Sequence, residues 1–137
     1  MWWIYALFSA LFAALTAIFA KVGIKGVDTD LATAIRTVVI LVIAWGIAFF
    51  RGGAAGIHTL TKQNIIFLCL SGVATGLSWI FYFKALQLGE VSQVAPVDKL
   101  SVALAIILSI IFLGETLTLK MAIGAILIIA GTIVLIL

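Results

Sequence analysis

Residues 64–113 read NIIFLCLSGVATGLSWIFYFKALQLGEVSQVAPVDKLSVALAIILSIIFL, and their reading decides the fold. Two long apolar runs, Asn64 to Leu88 and Val91 to Leu113, are separated only by Gly89-Glu90. A helix needs about twenty mainly apolar residues to cross the hydrocarbon core. Each run meets that length, and neither shows the residue-by-residue alternation of a barrel strand. Lipid permits only helices or closed barrels, so the stretch reads as a hairpin of two membrane helices.

Outward from this hairpin the pattern repeats. Toward the N-terminus, one apolar segment runs from Trp2 to Ala20 and ends at Lys21-Val-Gly-Ile-Lys25-Gly26. Another begins near Leu31, behind the acidic, cap-competent Asp28-Thr-Asp30, and ends at Phe50, where Arg51-Gly-Gly53 breaks it. Residues 52–63 form the one sizeable loop, in which His58 reads as solvated. Beyond the hairpin, Gly114 to Thr118 turn the chain into a last segment, Leu119 to Leu137. The expected spans are 2–20, 31–50, 64–88, 91–113 and 119–137, within a single domain of residues 1–137. The fold class is therefore all-α and membrane-embedded, a bundle of five transmembrane helices.

Composition agrees. Of the 137 residues, 66% are apolar and 9% charged, with a mean hydropathy of +1.41. A soluble domain carries roughly a quarter charged residues to solvate its surface, and this chain has too few. Its net charge of +3 comes from singly scattered lysines and arginines rather than a basic run, which speaks against nucleic-acid binding. Cys69 is the only cysteine and reads as a small buried apolar residue; neither an intrachain disulfide nor a cysteine zinc site can form. Without a basic leader region or cleavage pattern, the first segment reads as part of the mature protein.

Five crossings place the ends of the domain on opposite sides of the bilayer. Arg51, Lys62 and Lys120 fall on the side of Met1, whereas Lys21 and Lys25 fall in a loop on the other, with Arg36, Lys84 and Lys99 deeper in its helices. Lysines and arginines normally mark the cytoplasmic loops. Here the sign of the bias depends on whether the helical residues are counted, so the orientation is not fixed by charge.

The polar residues inside the spans fall on faces, because successive helical positions are about 100° apart. Ser71, Thr75, Ser78 and Tyr82 share one stripe of the third span, flanked by Gly72, Gly76, Trp79 and Phe83. Tyr5, Ser9 and Thr16 align on the first; Asp98, Ser101, Ala105 and Ser109 align on the fourth. Small and hydroxyl residues serve helix packing in membranes, and Gly72, Gly76, Gly124 and Gly131 are assigned there. The same stripes could line a polar cavity.

The fourth span favours a cavity. Pro96 has no amide hydrogen and leaves the carbonyl of Ser92 without its helical donor. Asp98 and Lys99 lie about two turns inside the same segment, where a charge is costly unless paired, snorkelled or hydrated. Adjacent helical residues diverge by about 100° and do not make a catalytic acid–base pair, although Lys99 or Lys84 could supply Asp98 with a cationic partner. Lys21 and Lys84 read as snorkelling side chains. Arg36, deeper and beside Thr33 and Thr37, is the better candidate to attract an anionic group. The substrate-binding set read from sequence is Tyr5, Ser9, Thr16, Arg36, Ser71, Thr75, Ser78, Trp79, Tyr82, Ser92, Pro96, Asp98, Lys99 and Ser101. Enzymatic chemistry has little footing: no metal-ligand cluster, Ser-His-Asp set or phosphate loop is present, and neither a catalytic residue, a metal nor a cofactor is expected.

At these residues the chain resembles the drug/metabolite transporter superfamily, in particular one EamA-type repeat. The resemblance covers essentially the whole chain. Its most specific part is Tyr82-Phe-Lys-Ala85-Leu86 with Gly89 before the hairpin, Pro96 within the fourth helix, Gly114-Glu115 closing it, and Gly124 to Gly131 in the fifth. Trp3 to Lys21 and Leu31-Ala-Thr-Ala-Ile-Arg36 are also similar to such sequences. Most of these transporters carry two inverted repeats, whereas this chain resembles the short bacterial and archaeal members with one. The resemblance implies secondary transport of small metabolites or amphipathic compounds, across the inner membrane of a prokaryote, by an antiparallel homodimer whose copies insert in both orientations. Members of the related small multidrug group couple protons through a first-helix glutamate; no acid precedes Lys21 here. The competing reading is an accessory subunit that does not transport and packs against another membrane protein through its glycines.

Overall fold

The computed structural model describes residues 1–137. Six α-helices follow in order: α1 (Trp2–Gly23), α2 (Thr29–Phe50), α3 (Lys62–Leu88), α4 (Val91–Asp98), α5 (Leu100–Leu113) and α6 (Leu119–Ile136). There is no strand. Because α4 and α5 belong to one apolar span, Val91–Leu113, five segments are long and apolar enough to cross a membrane. The all-α class with five spans is the one expected from sequence.

The helix ends show why the boundaries fall where they do. Asp28 Oδ1 accepts from the backbone N–H groups of Asp30 and Leu31, both at 3.0 Å. Two of the four donors orphaned at a helix start are thereby satisfied, and α2 begins at Thr29 rather than near Leu31. The helical ladder continues past Lys21, with Ile24 N–H on the Ala20 carbonyl at 2.9 Å. At the other end of the chain, α5 stops at Gly114, whose φ of +67° lies in the left-handed region. The N–H groups of Gly114 and Glu115 both turn back onto the Ser109 carbonyl, the arrangement that closes many helices at glycine. Thr118 then caps α6 by accepting from Met121 N–H at 3.3 Å.

Two expectations need correction. The segment after α2 is no open loop: Gly53–Thr59 forms a 3-10 helix that packs on α2. Short turns of this kind leave fewer backbone groups unpaired than an irregular loop, and Thr59 Oγ1 adds a 2.7 Å bond to the Gly56 carbonyl. Cys69 is exposed, not buried, because no other helix covers that part of α3. The fourth span is interrupted partway along. Pro96 stays inside α4, and the interruption falls at Lys99, where ψ is −8°. There the Lys99 N–H is shared between the carbonyls of Ala95 at 3.3 Å and Pro96 at 3.0 Å, and Val102 N–H reaches Lys99 O at 3.0 Å. The backbone tightens to i→i+3 bonding for one turn and restarts as α5.

The chain forms two compact units, one of residues 1–18 with 88–137, the other of residues 19–87. In the first, α6 packs on both α4 and α5, with Ala103 and Thr132 buried. In the second, burial gathers where α1 ends, α2 begins and α3 ends: Ala20, Ile24, Thr29, Thr33, Phe83 and Leu86. Two side chains tie the same region together. Lys21 Nζ donates to the Leu86 carbonyl, and Gln87 Nε2 donates to the Val27 carbonyl at 3.1 Å. By contrast, α3 from Lys62 to Thr75 is exposed throughout, an apolar surface suited to lipid or another protein.

Candidate functional site

Within residues 19–87, α2 and α3 bring Arg36 over two aromatic rings. Its guanidinium carbon lies 4.8 Å from the centroid of Trp79 and 4.6 Å from that of Phe83. Trp79 and Phe83 are four residues apart and so project from one face of α3. Phe83 is 1% exposed, while Trp79 and Arg36 are half-buried. The Tyr82 ring lies 6.1 Å from that of Phe83. A cation held against ring faces is stabilised by their quadrupoles, by about 0.5–2 kcal/mol. The rings carry no net charge, so the positive charge is held without being neutralised.

The hydroxyls beside Arg36 are otherwise committed. Thr33 Oγ1 donates to the Thr29 carbonyl and Thr37 Oγ1 to the Thr33 carbonyl, each at 2.8 Å. On α3, Thr75 Oγ1 likewise donates to the Ser71 carbonyl at 2.8 Å. Ser71, Thr75 and Ser78 are exposed, and Tyr82 is half-buried. Of the residues read from sequence as candidates, Arg36 and Trp79 meet here. Phe83, which sequence reading placed only beside the stripe, is the second ring of the group; its spacing of four from Trp79 was the available signal.

The second polar centre lies in the other unit. Lys99 Nζ sits 3.2 Å from Asp98 Oδ2, with side chains 57% and 35% exposed respectively. Of the two cationic partners that the sequence offers Asp98, Lys99 and Lys84, it is Lys99 that adjoins it. Pro96 lies beside Thr132 of α6, whose Oγ1 is 3.2 Å from the Pro96 carbonyl and 2.8 Å from that of Ile128. Sequence reading missed Thr132, although a single threonine in the long apolar run of α6 was a visible signal. Ser92 is exposed and directs its hydroxyl to Glu90 Oε2 at 3.4 Å. Ser101 is exposed, as are Tyr5 and Ser9 on α1, while Thr16 is half-buried. Of the expected set, Arg36, Ser71, Thr75, Ser78, Trp79 and Tyr82 belong to one unit and the remaining residues to the other.

The glycines assigned to packing meet nothing within the chain. A Cβ added at Gly72, Gly76, Gly124 or Gly131 would find no heavy atom within 4 Å. At these positions no neighbouring helix of the chain approaches closely.

Comparison with known proteins follows the same lines. The EamA-like transporter family matches residues 1–137. The chain is 47% identical over 134 residues to a Sinorhizobium protein named as an uncharacterised transporter in the cobO 3' region, covering 98% of this chain and 95% of that relative. It is also 39% identical over 77 residues to an uncharacterised protein of Methanocaldococcus jannaschii, covering 56% of each. No solved structure matches. With five apolar spans and a match from end to end, this chain is a multi-pass membrane transporter and belongs to the EamA-like transporter family.

Proposed function

We propose that the protein is a secondary transporter of small metabolites or amphipathic compounds, working as an antiparallel homodimer of inverted five-helix subunits in a prokaryotic inner membrane. The observation that carries the reading is the interruption of the fourth span at Lys99, with the Asp98–Lys99 ion pair at the break. A helix that only met lipid would gain nothing from a broken ladder and two charges about 10 Å along its length. Discontinuous membrane helices are a recurrent way of building solute and ion sites near the interface of inverted repeats. Asp98 and the backbone near Pro96 would border the solute path.

A second copy would complete a path built from two inverted halves. The uncovered positions Gly72, Gly76, Gly124 and Gly131 support a surface that receives other helices. The absence of a firm charge bias supports insertion in both orientations. Lipid, the second copy and the solute are then the partners; no cofactor or reaction chemistry is invoked.

Flux into proteoliposomes, for a panel of labelled amino acids and small amphipathic solutes, tests the site. Asp98→Asn should retain folding and self-association but impair flux, and Asp98→Leu should impair it further. Full flux from a folded Asp98→Leu protein would remove Asp98 from the path. C-terminal reporter fusions test the assembly: activity is expected on both sides of the membrane. A reporter confined to one side, unmoved by added lysines, would rule out dual topology.

A further inference from the structure

We infer that the aromatic-backed guanidinium of Arg36 is an anion-recognition site, and that its ligand is a compact organic carboxylate with an apolar body. This rests on the transport reading above and names a substrate class for it. Arg36 lies seven residues beyond the start of α2, about 10 Å along the helix. At that depth a cation is costly unless it is compensated. Its observed partners are ring faces at 4.6 and 4.8 Å, which hold the charge in place without cancelling it.

The salt bridge present in the chain joins Lys99 to Asp98, so no internal carboxylate takes the role of counter-ion to Arg36. Its threonine neighbours give their hydroxyl protons to α2 itself. They neither compete for an incoming anion nor donate to it, which leaves the guanidinium as the donor-rich group of this helix pair. A planar carboxylate matches the guanidinium fork through two parallel charge-assisted bonds. The apolar body follows from the surroundings: Trp79 is half-buried beside the charge, Phe83 is buried, and Val39 and Ile40 lie one helical turn beyond Arg36 on α2. An ion with a full hydration shell would have to shed it there, whereas an aromatic or aliphatic acid sheds less.

A lipid phosphate offers similar anionic chemistry, and the test separates the two sources. The full chain carrying Trp2→Phe, Trp3→Phe and Trp45→Phe keeps Trp79 as its one fluorophore of that type. In pure phosphatidylcholine vesicles, benzoate should perturb Trp79 emission saturably, while uncharged benzamide should not. Arg36→Gln should weaken benzoate binding about tenfold or more. Arg36→Lys, which keeps the charge but loses the fork, should weaken it to a smaller extent. Equal responses to benzoate and benzamide would overturn the inference. So would a perturbation by phosphatidylglycerol vesicles without any response to benzoate, which would assign the guanidinium to lipid headgroups. Should Arg36→Gln fail to fold, unchanged benzoate affinity in folded Arg36→Lys would overturn the bidentate assignment. Proteoliposome flux of other solutes, with no benzoate response, would defeat this inference alone and leave the transport reading standing.

Discussion

Arg36 and the Asp98–Lys99 pair lie at similar distances from the starts of their own helices, yet the chain deals with charge in opposite ways at the two places. On α2, one cation is laid against the π faces of Trp79 and Phe83. On α4, a cation and an anion adjoin at a break in the backbone. The first arrangement leaves a net positive charge on a backing of rings; the second cancels the charge locally at the expense of helical continuity. Attachment to the neighbouring helix differs accordingly. Between α2 and α3 Arg36 meets the buried ring of Phe83, whereas the α4–α6 contact includes the Thr132 hydroxyl, whose one proton is shared between the carbonyls of Ile128 and Pro96. A fixed net charge suits recognition of an opposite charge, and a local pair at a helix break suits rearrangement.

The contrast can be broken most strongly at Phe83. Phe83→Ala removes both a side chain 1% exposed and one of the rings under Arg36. The expected loss is about 2 kcal/mol in a mixed-micelle unfolding titration. That is less than the ~3–5 kcal/mol of a soluble core, because the ring moves from protein to lipid rather than to water. A loss no greater than that of Phe81→Ala, an exposed neighbour on α3, would show that volume does not hold this contact.

Thr132→Val should come next. It keeps the branched shape and removes the hydroxyl shared between the Ile128 and Pro96 carbonyls, for an expected loss of about 1 kcal/mol in the same titration. Thr132→Ser should recover part of that loss. An unchanged midpoint for Thr132→Val would mean that packing, not this bond, joins α4 to α6.

The smallest effect on stability belongs to Lys99→Gln. Its side chain is more than half exposed, and ion pairs of that kind contribute little after screening, within about 0.5 kcal/mol. A clear drop in melting temperature would make the pair a structural tie rather than a feature of the proposed path, and the comparison would lose its functional side.

Much of this architecture is legible in residues that act locally. The length of the apolar runs gives the five spans; Asp28, Gly114 and Thr118 mark helix ends through short-range bonds that a sequence displays openly. Two features resist such reading. Pro96 advertises a break through its missing amide, but the position of the break depends on how Lys99 N–H is shared between two carbonyls. Arg36 suggests anion attraction from its type and depth, but its seating over Trp79 and Phe83 depends on how α2 lies on α3. Lys21 shows the same limit: read as snorkelling, it instead reaches the Leu86 carbonyl, a partner distant in sequence. The glycines give the converse case, since their spacing suggests close helix contact and the protomer leaves them open.

The hydroxyls of Thr33, Thr37, Thr75 and Thr132 each reach the carbonyl four residues earlier, at 2.8 Å. Each bond lies within a single helix and can form before any neighbouring span has been synthesised. A nascent segment passing sideways from the insertion machinery into lipid would thus present threonines whose donors are already engaged by its own backbone. Polar faces can then be written into these spans without a heavy toll on their partition into the bilayer, which falls chiefly on side chains that no local carbonyl can satisfy. For α2 that side chain is Arg36, and its release into lipid would be favoured once α3 follows and supplies the rings.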